Sequence, residues 1–488
     1  MTDGYVSEID YTHRYCSEIA PGMLRLACAA RGMALPDNRP LRYLELGYGQ
    51  GVSVNLHAAA CPGEYWGTDV NPAHAANASA LAAVSGSGAR LFDESFEAFL
   101  ARKDLPAFDM IALHGTWSWI SAENRARVIG IVRQCLAPGG VFYVSYNCWP
   151  GWATEMPLRH LLTQHAQRVD PGKGLADRID ASLAFAESMI DAGAAYFEAH
   201  PGLKGWLRDM QGRSRRYLAH EYFNRDWHPM PFSEIAGLLS EAGLSFVGSA
   251  SMAEPLDPPG LSPQSRKLLG SITDPLMRET TLDYLVNRRF RRDLFTREAA
   301  SPPRDDLFDR IGAIEFTLLQ HPDYVVAEGM PDPAALRALV AALAEQDYAP
   351  RTLEVLAQHP KCAAIPREHL AALALLLTGA GSLHPVQAPD AREAASPHCK
   401  ALNRHVLERS LENGDIGALA SPVTGAGVFV ARQEMLFLLA RARGAKDEDE
   451  WARLAWESLG EGDPATLRAN ARAFARIRLP ILIALEVA

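Results

Sequence analysis

The sequence predicts an α/β protein built around a mostly parallel sheet, with a helical insertion in the sheet and further domains after it. Short apolar runs alternate with helical stretches between residues 41 and 146. The helical segment 151–230 interrupts this alternation, which resumes over residues 232–250. Strands that alternate with helices form parallel sheets with crossover helices. The second stretch is therefore expected to complete the sheet begun by the first.

Length and composition are those of a globular protein with several domains. The chain has 488 residues, of which 48% are hydrophobic and 22% are charged. At ~150 residues per domain, this length predicts about three domains. The formal net charge of −10 disfavours a nucleic-acid partner, because an acidic surface repels phosphates. The same charge is compatible with a basic protein as partner.

Several kinds of site and location are disfavoured by the residue patterns. Seven cysteines without a CxxC pair predict reduced thiols in a cytoplasmic protein, and the N-terminus has no signal-peptide pattern. No apolar run approaches the ~18 residues of a membrane span, so we expect no membrane contact. The histidines lack the spacing of metal ligands, so no metal is expected.

The predicted elements of the sheet follow one another closely. Strands are predicted at residues 41–46, 65–69, 89–92, 108–114 and 141–146, and helices at 52–60, 72–84 and 125–136. After the insertion, Ser233 is predicted to cap a helix that ends at Ala242 before Gly243, and a strand follows at 244–247. Residues 1–150 are thus predicted to form the first part of the sheet domain. Residues 151–231 are predicted to form a helical insertion that serves as a lid or a dimer contact. Residues 232–300 are predicted to complete the sheet domain.

Proline-rich breakers divide the remainder of the chain. They lie at residues 255–263 and at Pro302-Pro303, which marks a domain boundary. Helices predicted at 334–344, 351–357 and 367–377, with a hairpin-like tail at 383–386, indicate a winged-helix-like domain over residues 301–395. Its basic and acidic side chains balance, which favours protein docking over DNA binding. Residues 396–488 are predicted to form a mostly helical domain.

The motif ELGYGQG at residues 45–51 follows the first strand and opens the first helix. Glycines let the backbone turn tightly and bring a ligand close to the helix N-terminus. Asp69 ends the next strand, where an acid binds both hydroxyls of a ribose. A dinucleotide fingerprint, GxGxxG, needs Gly or Ala at the position of Val52. The form GxGxG indicates S-adenosylmethionine instead.

Two later segments fit the same cofactor. Glu94, Ser95 and Phe96 follow the third strand, where adenine normally lies. The turn LAPGG at residues 136–140 precedes the fifth strand, as a similar turn does in class I methyltransferases. In this order and spacing, the elements predict a Rossmann-like domain that binds S-adenosylmethionine.

Longer motifs resemble one family over nearly the whole chain. They are HGTWSW at 114–119, SYNCWPGW at 145–152, YLAHEYFN at 217–224, WHP at 227–229, FRRDLF at 290–295 and SPVTG at 421–425. Together they resemble bacterial class I methyltransferases that carry a methyltransferase regulatory domain. That family includes protein lysine methyltransferases that modify rickettsial outer-membrane proteins. The resemblance implies methyl transfer to a protein acceptor.

The resemblance also implies roles for residues around the glycine motif. The expected cofactor-binding residues are Glu45, Gly47, Tyr48, Gly49, Gly51, Asp69, Glu94, Ser95, Phe96, His114 and Gly115. The glycine motif would surround the methionine part and Asp69 the ribose. Ser95 and Phe96 would contact adenine, with Glu94 as an alternative because many class I enzymes have an acid at the position of Ser95. His114 and Gly115 would lie at the mouth of the site.

Candidate catalytic residues follow the fourth and fifth strands. They are His114, Trp117, Tyr146 and Asn147, with Trp119 beside them. Tryptophan faces attract cations, but Trp117 and Trp119 are equally interpretable as packing residues. For His114 a structural role is favoured over a general base, since many class I enzymes need no base. The Asn/Asp-Pro-Pro-Tyr loop of nucleobase and glutamine methyltransferases is absent.

Two polar segments are open to two interpretations each. His220, Glu221 and Tyr222 either face the substrate channel or form a buried hydrogen-bonded cluster, and we favour the cluster. The run RRFRR at 288–292 resembles a nucleic-acid patch. Acids flank it at positions 283, 293 and 298, so we favour a structural element with solvated arginines.

The sequence thus favours an S-adenosylmethionine-dependent methyltransferase, and the family resemblance makes protein lysine the favoured acceptor. One alternative is a small-molecule or cell-envelope-precursor O- or N-methyltransferase. Another is a regulator that binds S-adenosylmethionine with little catalysis. A homodimer through the insertion is expected.

Overall fold

The computed structural model describes residues 13–36, 40–169, 172–253, 261–297, 306–326, 330–460 and 463–488. The strands of its main sheet are β1 Leu41–Leu46, β2 Gly63–Asp69, β3 Arg90–Asp93, β4 Phe108–Leu113, β5 Leu136–Asn147, β6 Ser245–Ser249 and β7 Phe290–Thr296. Their order is β3-β2-β1-β4-β5-β7-β6. Strands β1 to β5 are parallel, and β7 is antiparallel to β5 and β6. The predicted α/β sheet, with strands that follow the insertion, is confirmed.

Helices lie on the two faces of the sheet, and those predicted at 52–60, 72–84 and 125–136 lie close to their predicted positions. The helices are α1 Pro21–Ala30, α2 Val52–Ala60, α3 Pro72–Ser85, α4 Phe96–Ala101 and α5 Ala122–Cys135. The helix predicted at 125–136 starts earlier because the Ser121 side chain caps it, with its Oγ accepting a hydrogen bond from the Asn124 N–H at 3.2 Å. Strand β5 also begins before the predicted position, at Leu136.

The insertion consists of helices with a core of their own. They are α6 Met156–Arg168, α7 Leu175–Asp191, α8 Ala195–Ala199, α9 Gly202–Gln211 and α10 Arg215–Tyr222. Leu162, Leu183 and Leu207 lie in one apolar cluster between them. The insertion is therefore a packed helical unit, and its last helix leads back to the sheet.

The helix after the insertion begins two residues earlier than the sequence predicted. It is α11 Phe232–Glu241, and Pro231 precedes it without a side-chain cap. Phe232 is fully buried in the sheet core, so packing fixes the start of the helix and Ser233 lies inside the first turn. The cap predicted at Ser233 was wrong, and the strand predicted at 244–247 lies at β6.

The arginine run begins just before β7 and continues into it, and the helices α12 Pro263–Ser271 and α13 Pro275–Leu285 precede it in the chain. Arg291 is 2% exposed. Its guanidinium pairs with Asp293 at 2.9 Å, Asp283 at 2.7 Å and Glu279 at 2.9 Å. The prediction of solvated arginines was wrong for Arg291, because acids from α13 and from its own strand surround it.

The next region combines short helices with a small sheet. Its elements are α14 Leu307–Ile311, β8 Glu315–Leu318, α15 Pro333–Leu343, α16 Glu345–Tyr348, β9 Arg351–Thr352, α17 Leu353–Ala357, α18 Arg367–Gly379 and β10 Leu383–Pro385. Strand β8 lies between β10 and β9 and is antiparallel to both. The hairpin-like tail was wrong, because β10 pairs with the distant β8. The predicted breakers at 255–260 and 302–303 lie outside the described residues.

The C-terminal region is mostly helical, as predicted. Its elements are α19 Pro389–Arg409, β11 Ala418–Ser421, β12 Ala426–Phe429, α20 Arg432–Ala442, α21 Glu448–Leu459, α22 Pro464–Ala473 and α23 Leu479–Ala484. Leu402 of α19 shares a core with Val52 of α2 and Leu81 of α3. Phe308 and Leu336 share another with Leu24 of α1. Both C-terminal regions therefore pack against the sheet domain.

The described ranges lack both a membrane-spanning helix and a metal-binding cluster. None of the helices described there is both long and apolar enough to span a bilayer. The described side chains also contain no cluster of three or more His, Cys, Asp or Glu residues arranged to hold a metal ion.

Candidate active site

A two-compartment cavity lies at the carboxyl ends of the parallel strands, where open α/β sheets bind ligands. The first compartment is lined by Asp69, Glu94 and Phe96, and encloses about 950 Å³ between protein atoms, including space open to solvent. The second is lined by Glu45 and Asn147. Residues common to both linings are Gly47, Gly49, His114, Gly115, Trp119 and Glu221. The compartments therefore adjoin.

The glycine motif forms the turn between β1 and α2. Gly47, Gly49 and Gly51 all have positive φ, at 69°, 58° and 72°, a region that favours glycine. A Cβ on Gly51 would lie 2.3 Å from the Cβ of Ala78 in α3. This close approach brings α2 against α3 and leaves the Gly47 and Gly49 backbone on the cavity wall.

Asp69 connects the end of β2 to the glycine turn. Its Oδ2 accepts a hydrogen bond from the Gly49 N–H at 2.9 Å, and its Oδ1 accepts one from the Asn71 N–H at 3.0 Å. The His74 Nδ1 lies 3.2 Å from the same Oδ1. A carboxylate has about four lone-pair positions, so Asp69 keeps capacity for a hydroxyl donor while it orders the turn.

Glu45 lies at the end of β1 and is 5% exposed. Burial raises the pKa of its carboxyl to about 8, against the opposing effect of a hydrogen bond from Tyr43. The Tyr43 hydroxyl donates this bond to Oε2 at 3.4 Å. Because a nearby positive charge lowers the pKa of a carboxyl, a cation bound here would favour the ionised form.

Two polar side chains that follow β3, Glu94 and Ser95, make different contacts beside the first compartment. The Ser95 Oγ accepts a hydrogen bond from the Ala98 N–H at 3.2 Å and caps α4. Glu94 Oε1 pairs with Arg102 at 2.8 Å. Its Oε2 is buried and has no hydrogen-bond partner among the described residues. Glu94, rather than Ser95, therefore has an acceptor available to a ligand beside Phe96.

His114 follows β4 on the wall between the compartments. Its Nδ1 lies 2.9 Å from the Tyr143 hydroxyl and 3.3 Å from the Ser145 Oγ, and its Nε2 lies 3.7 Å from Glu18. Burial lowers the pKa of His114 to about 4, with Glu18 opposing the shift. The imidazole is neutral at pH 7, and its contacts orient the loop in which the Gly115 N–H donates to Ser145 Oγ at 2.7 Å.

Of the other candidate catalytic residues, some line the cavity and others lie in the core. Trp119 lines both compartments, and Asn147 lines the second. Trp117 is fully buried, with its Nε1 3.4 Å from the Met230 Sδ. Tyr146 is also buried, and its hydroxyl donates to Asp293 at 2.6 Å. Trp117 and Tyr146 thus lie in the core and do not line either compartment.

Several further wall residues lay outside the sequence prediction, among them Arg14, His74, Phe290 and Arg292. Arg14 precedes the first described helical turn, His74 lies on α3, and Arg292 and Phe290 lie on β7. Arg292 pairs with Glu18 at 3.4 Å. The motif FRRDLF contains Phe290 and Arg292 but does not reveal that they line the cavity, because the fold brings these residues to the glycine turn from distant segments.

Glu221, on α10 of the insertion, also lines both compartments. The favoured interpretation of residues 220–222 as a buried cluster fits Tyr222, which packs in the core of the insertion, and His220, which is 4% exposed, but it does not fit Glu221. Burial raises the pKa of Glu221, and Arg14 opposes the rise. The insertion therefore contributes a carboxyl group to the cavity.

Comparison with known proteins identifies the family. The model described as "Methyltransferase domain" matches residues 44–142, and "Predicted methyltransferase regulatory domain" matches residues 214–297. An uncharacterized protein of Synechocystis, sll1526, is 35% identical over 452 residues, covering 90% of this chain and 88% of that protein. The chain belongs to this family of class I methyltransferases.

The methyltransferase also has more distant relatives. An uncharacterized protein of Rickettsia prowazekii, RP789, is 23% identical over 276 residues, covering 54% of the methyltransferase and 47% of that protein. The structure of PKMT2 from Rickettsia typhi in complex with AdoHcy has a TM-score of 0.70 at 18% identity, and covers 98% of both chains. The methyltransferase therefore shares its fold with PKMT2 over nearly its whole length.

S-adenosylmethionine is the cofactor of the methyltransferase, and the cavity fits it. The first compartment is lined by Asp69, Glu94 and Phe96, the residues expected to contact the ribose and the adenine. It presents a buried acceptor without a partner at Glu94 Oε2 and a glycine backbone that admits close approach. An adenosyl group has hydroxyl and amine donors, which the Glu94 acceptor requires.

Proposed function

We propose that the methyltransferase transfers a methyl group from S-adenosylmethionine to the side-chain amine of a lysine in a protein. The observation that carries this proposal is the second compartment, which adjoins the glycine turn and is lined by charged and polar side chains. Such a lining suits a polar acceptor better than an apolar small molecule. The motif resemblance to rickettsial lysine methyltransferases and the fold shared with PKMT2 also support it.

The proposed cofactor contacts follow the wall of the cavity. Asp69 would receive the ribose hydroxyls, Glu94 and Phe96 the adenine, and Glu45 with the Gly47 and Gly49 backbone the methionine part. Gly51 would allow the turn to form. Tyr48 would support it, since its hydroxyl donates to the Phe92 carbonyl at 2.9 Å. Ser95 would act through its cap of α4, and His114 and Gly115 would form the wall between the compartments.

The residues of the site would act by orientation. The cofactor supplies a methyl group bonded to a positively charged sulfur. Alignment of an amine with that methyl group accounts for much of the rate of such a displacement. Trp119 and Asn147 face the space that the amine would occupy. With its pKa lowered to about 4, His114 is a weak base at neutral pH, so we assign it a positioning role.

The other finer predictions also remain proposals. We propose that residues 1–150, 151–231 and 232–300 form the catalytic unit, with a winged-helix-like docking domain at 301–395 and a helical domain at 396–488. A homodimer through the insertion and a cytoplasmic location belong to the same proposal. Light scattering tests the dimer directly, and the mass of a monomer would reject it.

Lysine acceptance is tested on peptide arrays. We expect the purified protein, supplied with S-adenosylmethionine carrying a labelled methyl group, to label lysine-containing peptides. Copies of the same peptides with arginine in place of lysine should remain unlabelled, and mass spectrometry should place the methyl group on the lysine Nε. Label on the arginine copies, or transfer only to small molecules, would reject lysine as the acceptor.

A further inference from the structure

Among the carboxyl groups that line the cavity, Glu221 differs from the others in its contacts. Asp69 accepts hydrogen bonds from backbone N–H groups, Glu94 pairs with Arg102, and Glu45 accepts a bond from Tyr43. Within the described ranges the Glu221 carboxyl has neither a hydrogen bond nor an ion pair, and Arg14 acts on it only through its charge. Glu221 is therefore available to a ligand.

The position of Glu221 indicates which kind of ligand its carboxyl group would bind. It lies on the wall common to both compartments, where a methyl group must pass from cofactor to acceptor. The cofactor contacts proposed above come from the sheet domain, whereas Glu221 comes from the insertion. Trp119 shares this wall, and an indole face attracts cations. A carboxylate beside an indole is a site for an ammonium group.

We propose that Glu221, assisted by Trp119, binds the side-chain ammonium of the acceptor lysine and orients its nitrogen toward the methyl group. This proposal rests on the proposed lysine function. The bound ammonium loses one proton to water before transfer. Its lone pair then forms the N–C bond while the C–S bond breaks, and the electron pair of that bond stays on sulfur, which leaves S-adenosylhomocysteine.

Other titratable and charged groups on the cavity wall also affect the electrostatics of this site. They are His74, His114 and His220, with the cations Arg14 and Arg292. Arg292 is paired with Glu18, and burial keeps His114 neutral at pH 7. Burial raises the pKa of Glu221, and an incoming ammonium would restore its ionised form.

The test compares the full-length protein with its Glu221→Gln variant on a lysine peptide that the wild type methylates. We expect kcat/KM at pH 7 to fall by about 10- to 100-fold, the scale of a hydrogen bond between charged groups. Most of the loss should appear in KM. The Kd of S-adenosylhomocysteine should stay within about twofold, because Glu221 does not bind the cofactor in this account.

Two controls separate this role from a structural one. Glu187→Gln removes an exposed carboxyl from α7 of the insertion and should leave kcat/KM unchanged, while Glu221→Asp should recover part of the loss. The penalty of Glu221→Gln should shrink as the pH approaches ~10, where lysine in solution becomes neutral. A misfolded variant would not show this convergence.

The outcomes that overturn the proposal are distinct from failure of the lysine function. A wild type that methylates no lysine peptide rejects the function, and the role of Glu221 with it. A wild type that methylates lysine while Glu221→Gln keeps full kcat/KM rejects only the role of Glu221. Weakened binding of S-adenosylhomocysteine in Glu221→Gln, with an unchanged KM for the peptide, would assign Glu221 to the cofactor.

Discussion

Replacement of Arg291 by alanine should destabilise the fold by about 3–5 kcal/mol, because it leaves buried carboxylates without their cation. Asp283 and Asp293 are 2% and 0% exposed, and both pair with the guanidinium. Burial alone would lower the pKa of Arg291, yet Asp293 and its neighbours hold it well above its ordinary value. The first unfolding transition in urea should move to a lower concentration.

Arg472→Ala is the matched control for Arg291→Ala. The Arg472 side chain is 67% exposed and pairs with an exposed Asp449, so its loss should change stability by less than about 1 kcal/mol. Equal urea midpoints for Arg291→Ala and the wild type would show that the buried network contributes nothing to the junction of β7 with α13.

Gly51→Ala should cost about 2–5 kcal/mol of stability and disrupt cofactor binding. The left-handed backbone costs alanine about 1–2 kcal/mol, and overpacking adds about 1–3 kcal/mol. The new Cβ would lie 2.3 Å from the Ala78 Cβ, so α2 and α3 must separate. Thermal unfolding and titration with S-adenosylhomocysteine measure the two effects.

Gly88→Ala isolates the backbone part of this cost. Gly88 has φ of 74° and open space where its Cβ would lie, so only the conformational penalty should appear there. Adding Ala78→Gly to Gly51→Ala should recover part of the stability, since it removes the nearest contact. If Gly51→Ala is no worse than Gly88→Ala, the close approach of α2 to α3 does not limit the turn.

Local pattern predicted the sheet domain well because its strands and turns follow each other closely in the chain. The glycine turn and its hydrogen bond to Asp69 form between β1 and β2, which are consecutive strands. Arg291 shows the limit of this reasoning, since its acids come from α13 and from its own strand, and charge composition alone left it in solvent. The strand at 383–386 was predicted correctly as β10, but its hairpin-like pairing was wrong, because a local pattern does not specify that β8 is its partner.

Local sequence pattern was also insufficient to predict which individual side chains line the site. Alternate residues of a strand face opposite sides of a sheet. Tyr143 and Ser145 contact His114 and Asn147 lines the cavity, so Tyr146 points to the other face. The sequence predicted His114, Tyr146 and Asn147 near the mouth, but it did not determine which alternate residues of the strand face the cavity. Glu221 comes from the insertion, whose docking no local pattern specifies.

Calorimetric titration of S-adenosylhomocysteine into the wild type and into Asp69→Ala tests the central claim most directly. We expect saturable binding to the wild type and a loss of about 1–3 kcal/mol in the variant, the scale of a hydrogen bond to a charged group. This loss corresponds to a Kd about 5- to 150-fold weaker. Similar unfolding midpoints would show that the fold is retained. No binding to the wild type, or equal binding to both proteins, would contradict the assignment of this cavity to the cofactor.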